Sequence, residues 1–370
     1  MVSSGELEHV LAAFGVDVQD VKVNRLGKGN INDTYLVNGD FVSFVLQRMN
    51  GEVFDNPLGV IENFSLITNH LINKSSQRDS FLKVADPVPT KGGAHYFVDS
   101  YGWYWRAQNY IAHHPLEKLP TQHQAYSVGL VLAQFHLLLS DLVMDGLQDP
   151  LPGFHNLPQY LNDFDTVFSR HNLQQNSDVL LCLQCIDHFR GMATLLEDAK
   201  RDGILKVQPI HGDPKTDNFI FSEDGIACGL FDLDTVGGGL VHYDIGDCLR
   251  SCCNSGGEQG EGAANPRFDL DICATILAGY LSRSTAFLGK TECGYIYYSI
   301  LLITFELGVR FFTDHIRGNL YFKVAENGDN LRRAVTQFRL VEDIAMKEIE
   351  IKKLVEECYR GEVAAPTKWS

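Results

Sequence analysis

The stretch HGDPKTDNFIF, His211 to Phe221, runs a polar loop into a short apolar strand, and LFDLDTV, Leu230 to Val236, adds a second strand tipped by two carboxylates. Asp and Asn cap turns commonly, and a lone HxD would need no other explanation. Here loop, strand, hairpin and carboxylate-bearing strand follow in one order, and such context is what gives a motif its meaning. Phosphoryl transfer requires a carboxylate that accepts a hydroxyl proton and oxygen ligands that hold a divalent cation on nucleotide phosphates. Asp213 suits the first task, and Asn218 and Asp232 suit the second.

Upstream, residues from about 20 to 50 alternate in the manner of strands, as VKVNRL, TYLVN and FVSFVLQRM, separated by the turns GKGN and GD. Helical spacing runs from Pro57 to Lys74, after which HYFVDS and WYWRAQNYI return to hairpin character. From about Thr121 onward helices dominate, in AYSVGLVLAQFHLLLSDL, in DVLLCLQCIDHFRGMATLLEDAKRDG and in a single charged C-terminal helix, EDIAMKEIEIKKLVEECY. These patterns predict an α+β fold in two lobes. Residues 1–110 form a small antiparallel sheet with one helix, and residues 111–370 form a larger, mainly helical lobe. Gly27 and Gly29 fall between the first two strands, where glycine permits a tight turn and lets backbone N–H groups approach phosphates.

The chain of 370 residues, 45% apolar and 21% charged, is long enough to bury a sizeable core and is far from a disordered composition. A net charge of −16 speaks against nonspecific binding of nucleic acid, whose phosphates are held by clustered Lys and Arg. The opening MVSSGELEHVLAAFGV has no basic start and no apolar signal core, and no stretch is read as approaching the ~18 apolar residues of a membrane span. A cytoplasmic protein with no membrane partner is expected. The nine cysteines are odd in number and scattered, which fits free thiols in a reducing compartment. Cys182 and Cys185 form a CxxC inside a helical run with no second Cys or His pair nearby, so neither a zinc site nor a redox motif is expected there.

HxDxxxxN followed by a strand-borne DxD resembles the catalytic core shared by aminoglycoside phosphotransferases, choline kinases and, more distantly, protein kinases. The resemblance implies a protein-kinase-like fold, ATP as phosphoryl donor and Mg²⁺ as cofactor, with Asp213 as base, Asn218 and Asp232 on the metal and Asp234 assisting. Lys215 resembles the lysine that many kinases place near the transferring phosphate. The glycine loop resembles a phosphate cover. Arg48 stands where most kinases have a phosphate-gripping Lys, as in choline-kinase-like relatives, and Glu62 is the candidate for its ion-pair partner. Strand side chains alternate faces, so a shift of one residue would put Gln47 toward the nucleotide instead. WRAQNYI resembles the hinge between lobes, with Tyr110 and Ile111 at its end next to adenine.

Within that superfamily the chain most resembles the N-acetylhexosamine 1-kinases over nearly its whole length, through GNINDTY, VLQRMN, FDLDTVGGGLVHYDIGDCLRS, FELGVRFFTDHIRGNLYFKV and LRRAVTQFRLVEDI. Those enzymes phosphorylate the anomeric hydroxyl of N-acetylglucosamine or N-acetylgalactosamine. The resemblance places Arg310, Asp314 and Tyr321 near the sugar, although Arg310 and Asp314, four apart on a helix, also suit a simple ion pair. Asp244 and Asp247, in YDIGD, are expected to brace the catalytic loop. The acceptor is thus a small molecule, with choline, homoserine and aminoglycosides as alternatives. A nucleotide-binding regulatory protein without catalysis is the rival from another class.

Overall fold

The computed structural model describes residues 4–26, 31–77, 81–116, 119–171, 173, 176–258 and 266–366. Helix α1 (Ser4–Ala13) precedes an antiparallel meander of β1 (Val21–Arg25), β2 (Asp33–Gly39) and β3 (Ser43–Arg48), and α2 (Pro57–Gln77) follows. The short β4 (Pro87–Val88) and β5 (Phe97–Val98) both pair with β6 (Tyr104–Asn109), which lies beside β3 and completes the sheet. The pairing Gln47↔Arg106 and Arg48↔Trp105 fixes which side chains share a face. Phe44, Leu46, Trp105 and Ala107 are buried with Val10, Leu11 and Phe14 of the α1 segment on one face. The intervening residues, Val45 and Gln47, look the other way, into the cleft.

Beyond the sheet come α3 (Gln122–Leu139), α4 (Leu157–Arg170), α5 (Ser177–Phe189), α6 (Leu195–Arg201), β7 (Val207–Ile210), β8 (Phe219–Phe221), β9 (Ala227–Leu230) and β10 (Gly237–Leu240). The chain ends in helices α7 (Val241–Cys252), α8 (Leu270–Ser284), α9 (Lys290–Cys293), α10 (Ile296–Arg317), α11 (Asp329–Met346) and α12 (Glu348–Tyr359). An antiparallel-sheet N-terminal region and a helical C-terminal region give the expected α+β class. Helix α10 is apolar on nearly every side because α4, α7 and α11 all pack on it.

Two helices depart from the sequence reading. The run from Asp178 breaks after Phe189 and restarts at Leu195, and the charged C-terminal run breaks at Lys347. At that corner Lys347 turns inward, donating to the Phe268 carbonyl (2.8 Å) and to Asp343 (2.6 Å), so a tertiary contact ends the helix where no Gly or Pro marks it. The membrane-span reading is also corrected: Ile296–Arg317 and Ser177–Arg201 are long and apolar enough by composition to cross a membrane. The apolar window of α10 is nevertheless 83% buried inside the protein, as a core helix would be. All nine cysteines are free thiols.

Candidate active site

β7 pairs with β10, so the loop leaving β7 at His211 faces the DxD segment that precedes β10. Gly212 sits in the left-handed region (φ 88°), and a Cβ there would lie 2.7 Å from the Thr235 carbonyl oxygen, so only glycine lets the two segments touch. His211 is fully buried and its Nε2 donates to the Phe231 carbonyl (3.0 Å), which leaves Nδ1 to accept the Asp213 amide (3.3 Å). Burial first, against the pull of Asp244, keeps this imidazole below its ordinary pKa and neutral, as the tautomer requires. Helix α7 supports the loop from behind. Asp244 accepts the amides of His211 (2.7 Å) and Gly212 (2.8 Å) and pairs with His136 (2.8 Å).

Three of the predicted residues meet in the loop that follows. Asp213 accepts Lys215 Nζ at 2.8 Å and Asn218 Nδ2 at 3.0 Å, while the same Nδ2 donates to the Asp213 carbonyl at 2.7 Å. Asn218 is oriented with its amide oxygen left over. Burial pushes the Asp213 carboxyl up, but Lys215 and, behind it, His211 and Arg250 outweigh this and hold it below the usual carboxylate range. Asp213 in turn raises Lys215 well above an ordinary lysine, so the pair is ionised on both sides at neutral pH.

Asp232 adopts the left-handed conformation (φ 63°), uncommon for a non-glycine residue, at the edge of the cleft. Loss of solvent within the walls of the cleft and, after it, the nearby Asp234 push its carboxyl up to about 7, although the residue keeps an exposed edge. Asp234 is engaged elsewhere. One oxygen accepts Asn32 Nδ2 (2.5 Å), and the other pairs with Arg106, both side chains almost fully buried. A hard divalent cation takes oxygen ligands. Asp232 and the free amide oxygen of Asn218 fit that need; Asp234 lines the same cleft and accepts one hydrogen bond on each oxygen, which leaves each a lone pair.

The nucleotide-side predictions divide. The cleft, about 500 Å³, is lined by Val45, Gln47, Ala85, Tyr110, Ile111 and Phe231, with Asp213, Lys215, Asn218, Asp232 and Asp234 along its other wall. Gly27 and Gly29 lie outside the described residues. Arg48 does not line the cleft: it shares the face of Phe44 and Leu46, pairs with Asp33 (2.5 Å) and stacks over Trp103 (5.1 Å). Glu62 is exposed on α2 and is not its partner; its neighbour Asn63 points inward instead and donates to the carbonyls of Gln148 and Val236. A buried cation on the cleft side of the sheet is Arg106, which donates to Gln47 (2.8 and 3.0 Å) and to Asp234, over the ring of Phe64. Its signal in the sequence is a lone charge within an aromatic strand, since a buried charge demands a partner.

A second cavity, about 130 Å³, opens on the other side of Asp213 and Lys215, and a third, about 270 Å³, shares Arg310 and Tyr321 with it. Arg310 is enclosed by Phe154, Tyr160, Tyr321 and Phe322, with ring centroids 5.0 to 5.8 Å from its guanidinium carbon. Its ionic neighbour on α10 is Glu306 (3.8 Å), one turn before it, rather than Asp314. Asp314 lies at the wall of the third cavity, yet both oxygens are used: it accepts the amides of Leu320, Tyr321 and Phe322 (each 2.9 Å) and Asn330 Nδ2 (2.9 Å). Asp314 therefore shapes the loop that carries Tyr321. Asp247 pairs with Arg250 and makes no bond to the catalytic-loop backbone, which corrects its expected bracing role.

The fold resembles that of a microcompartment-associated aminopropanol kinase (TM-score 0.65, 17% identity, 95% of this chain and 99% of that one). It also resembles an aminoglycoside phosphotransferase from Alicyclobacillus acidocaldarius (0.63, 16%, 94% and 96%). A choline kinase from Cryptosporidium parvum gives a similar likeness (0.62, 13%, 90% and 92%). At these identities the likeness shows the fold. A family profile described as phosphotransferase enzyme family matches residues 22–272, from the start of the sheet through the His211–Phe221 segment into α8. That span is more than half of the chain, and the chain belongs to the phosphotransferase enzyme family.

Proposed function

We propose that this phosphotransferase is a small-molecule kinase that moves the γ-phosphoryl group of ATP to the anomeric hydroxyl of an N-acetylhexosamine. The observation that carries the kinase reading is the position of Asp213, which lines both the 500 Å³ cleft and the 130 Å³ cavity. A base between two compartments can take the proton of an acceptor hydroxyl in one while the phosphoryl donor lies in the other. The apolar walls of the cleft, Val45, Ala85, Ile111 and Phe231, suit a planar nucleotide base. Lys215, charged and held by Asp213, stands ready to meet phosphate oxygens on either side. Mg²⁺, held by Asp232 and the Asn218 amide oxygen, would supply charge neutralisation at the transferring phosphate.

Two features favour a sugar over an amino alcohol. The segments of the chain that resemble N-acetylhexosamine 1-kinases include the helix and loop bearing Arg310 and Tyr321. The aromatic box that could cage a quaternary ammonium already holds the protein's own guanidinium. The test is ADP release from Mg·ATP with N-acetylglucosamine, N-acetylgalactosamine, glucose, choline, homoserine and kanamycin, with phosphorus NMR of the product. An anomeric phosphate from either N-acetylhexosamine supports the full reading. Turnover of choline, homoserine or kanamycin alone would discard the sugar, and no turnover at all would favour a regulatory nucleotide-binding role.

A further inference from the structure

Helix α7 turns two carboxylates toward the catalytic loop, because Asp244 and Asp247 are three residues apart and share a face. Asp244 is spent on the loop backbone. Asp247 lines the cavity beyond Asp213, is only 5% exposed, and gives Oδ1 to Arg250 Nε (2.9 Å) and Nη2 (2.8 Å). Its Oδ2 has no hydrogen-bond partner among the described residues. A buried acceptor left unpaired is destabilising by about 1–3 kcal/mol, so such an atom in a cavity wall has a reason to be there.

The charge balance says what kind of donor it faces. Lys215 offsets Asp213 (2.8 Å), Lys323 and Arg333 stand in the same wall as Glu258, Arg250 offsets Asp247 while also reaching Glu258 (3.5 Å), and Glu306, across the cavity, is offset by His155 (3.2 Å) and Arg310 (3.8 Å). Asp247 and Glu306 therefore present lone pairs without net negative charge. An ammonium group would lose its hydration and find no uncompensated anion, whereas a neutral hydroxyl needs only an acceptor. Building on the kinase reading above, we infer that Asp247 is an acceptor-recognition residue whose Oδ2 takes a hydrogen bond from a non-reacting hydroxyl of a neutral, polyhydroxylated acceptor.

The test compares the parent protein and Asp247→Asn on the phosphorylated N-acetylhexosamine and its 3-, 4- and 6-deoxy analogues. With Oδ1 kept on Arg250, the substitution replaces the cavity-facing acceptor by an NH₂ donor. In the parent, one deoxy analogue should lose about 10- to 100-fold in kcat/KM, the worth of a hydrogen bond to a charged group. In Asp247→Asn that ratio should collapse toward about 1 for the same analogue, with the ATP KM unchanged. Because the ratio compares two substrates in one preparation, a partly folded variant does not alter it. A variant that loses the same factor on the parent sugar and every analogue, or loses nothing, overturns the inference. Failure of the parent protein on every N-acetylhexosamine overturns the sugar reading itself, and the inference with it, before any variant is made.

Discussion

Arg106 on β6 donates to Asp234, 128 residues further along, and this buried pair ties the sheet to the segment that carries the metal-binding candidate Asp232. Removing one partner of a buried pair leaves the other charge uncompensated, a loss of about 3–5 kcal/mol. Arg106→Met should lower the unfolding free energy by that order and weaken nucleotide binding, because Gln47 loses its orienting donor at the same time. Adding Asp234→Leu should recover part of the stability. Urea titration of the two single variants and the double one measures the coupling; strictly additive losses would mean that the two side chains do not act as a pair.

Arg48 gives the contrasting expectation. Its partner Asp33 and its stacking ring Trp103 lie away from the cleft, and its side chain is 21% exposed. Arg48→Ala should leave the ATP KM within about 2-fold of the parent, the range of substitutions away from a site. A rise of about tenfold or more would return the nucleotide phosphates to Arg48.

The difference between these two arginines shows where sequence reading stops. FVLQRM is apolar on both sides of the strand, so a two-residue period does not say which face meets α1 and which meets the cleft. That choice is made by Val10, Leu11 and Phe14 packing on Phe44 and Leu46, a tertiary fact. Asp213, Asn218 and Asp232 were legible because they sit in one loop and one hairpin, where order along the chain nearly fixes proximity. Asp244 and Asp247 look equivalent in YDIGD, and only the cavity beside one of them and the loop amides beside the other separate their roles. Arg106 is within a readable strand and Asn32 immediately precedes one, but their common partner Asp234 is distant in sequence.

Asp213→Asn should reduce kcat by about 10²- to 10⁴-fold, the usual contribution of a positioned base. Nucleotide affinity should survive, because the amide can still accept from Lys215. Single-turnover kinetics and nucleotide binding, read on the same preparation, separate the two effects. Retained turnover would remove Asp213 from the role of base.

Arg310→Ala leaves Phe154, Tyr160, Tyr321 and Phe322 around an uncharged gap. The acceptor KM should rise by about 10-fold or more through loss of a charge-assisted donor, with little change in the ATP KM. The variant, unlike the parent, should also bind tetramethylammonium, since cation–π attraction in a desolvated cage is worth about 2 kcal/mol. Calorimetry with both proteins tests this. Binding to the parent would show that the guanidinium does not fill the box.

His155 links the 130 Å³ cavity to the loop that leaves β7 through a proton. Its Nε2 donates to the Gly212 carbonyl (2.7 Å) while Nδ1 faces Glu306 (3.2 Å), so both ring nitrogens meet acceptors and the imidazolium satisfies them together. Burial alone would depress its pKa, but the Glu306 carboxylate, with a further contribution from Asp247, holds it above the ordinary value. A raised histidine stabilises the fold fully below the unfolded pKa of about 6.5 and loses that contribution as pH rises through the folded value. The unfolding free energy should therefore decline as pH rises above about 6.5, and His155→Gln should be less stable at about pH 6 while lacking that step. Urea midpoints from about pH 6 to pH 9 decide the matter, because parallel pH profiles for the two proteins would show that His155 is not charged in the folded state.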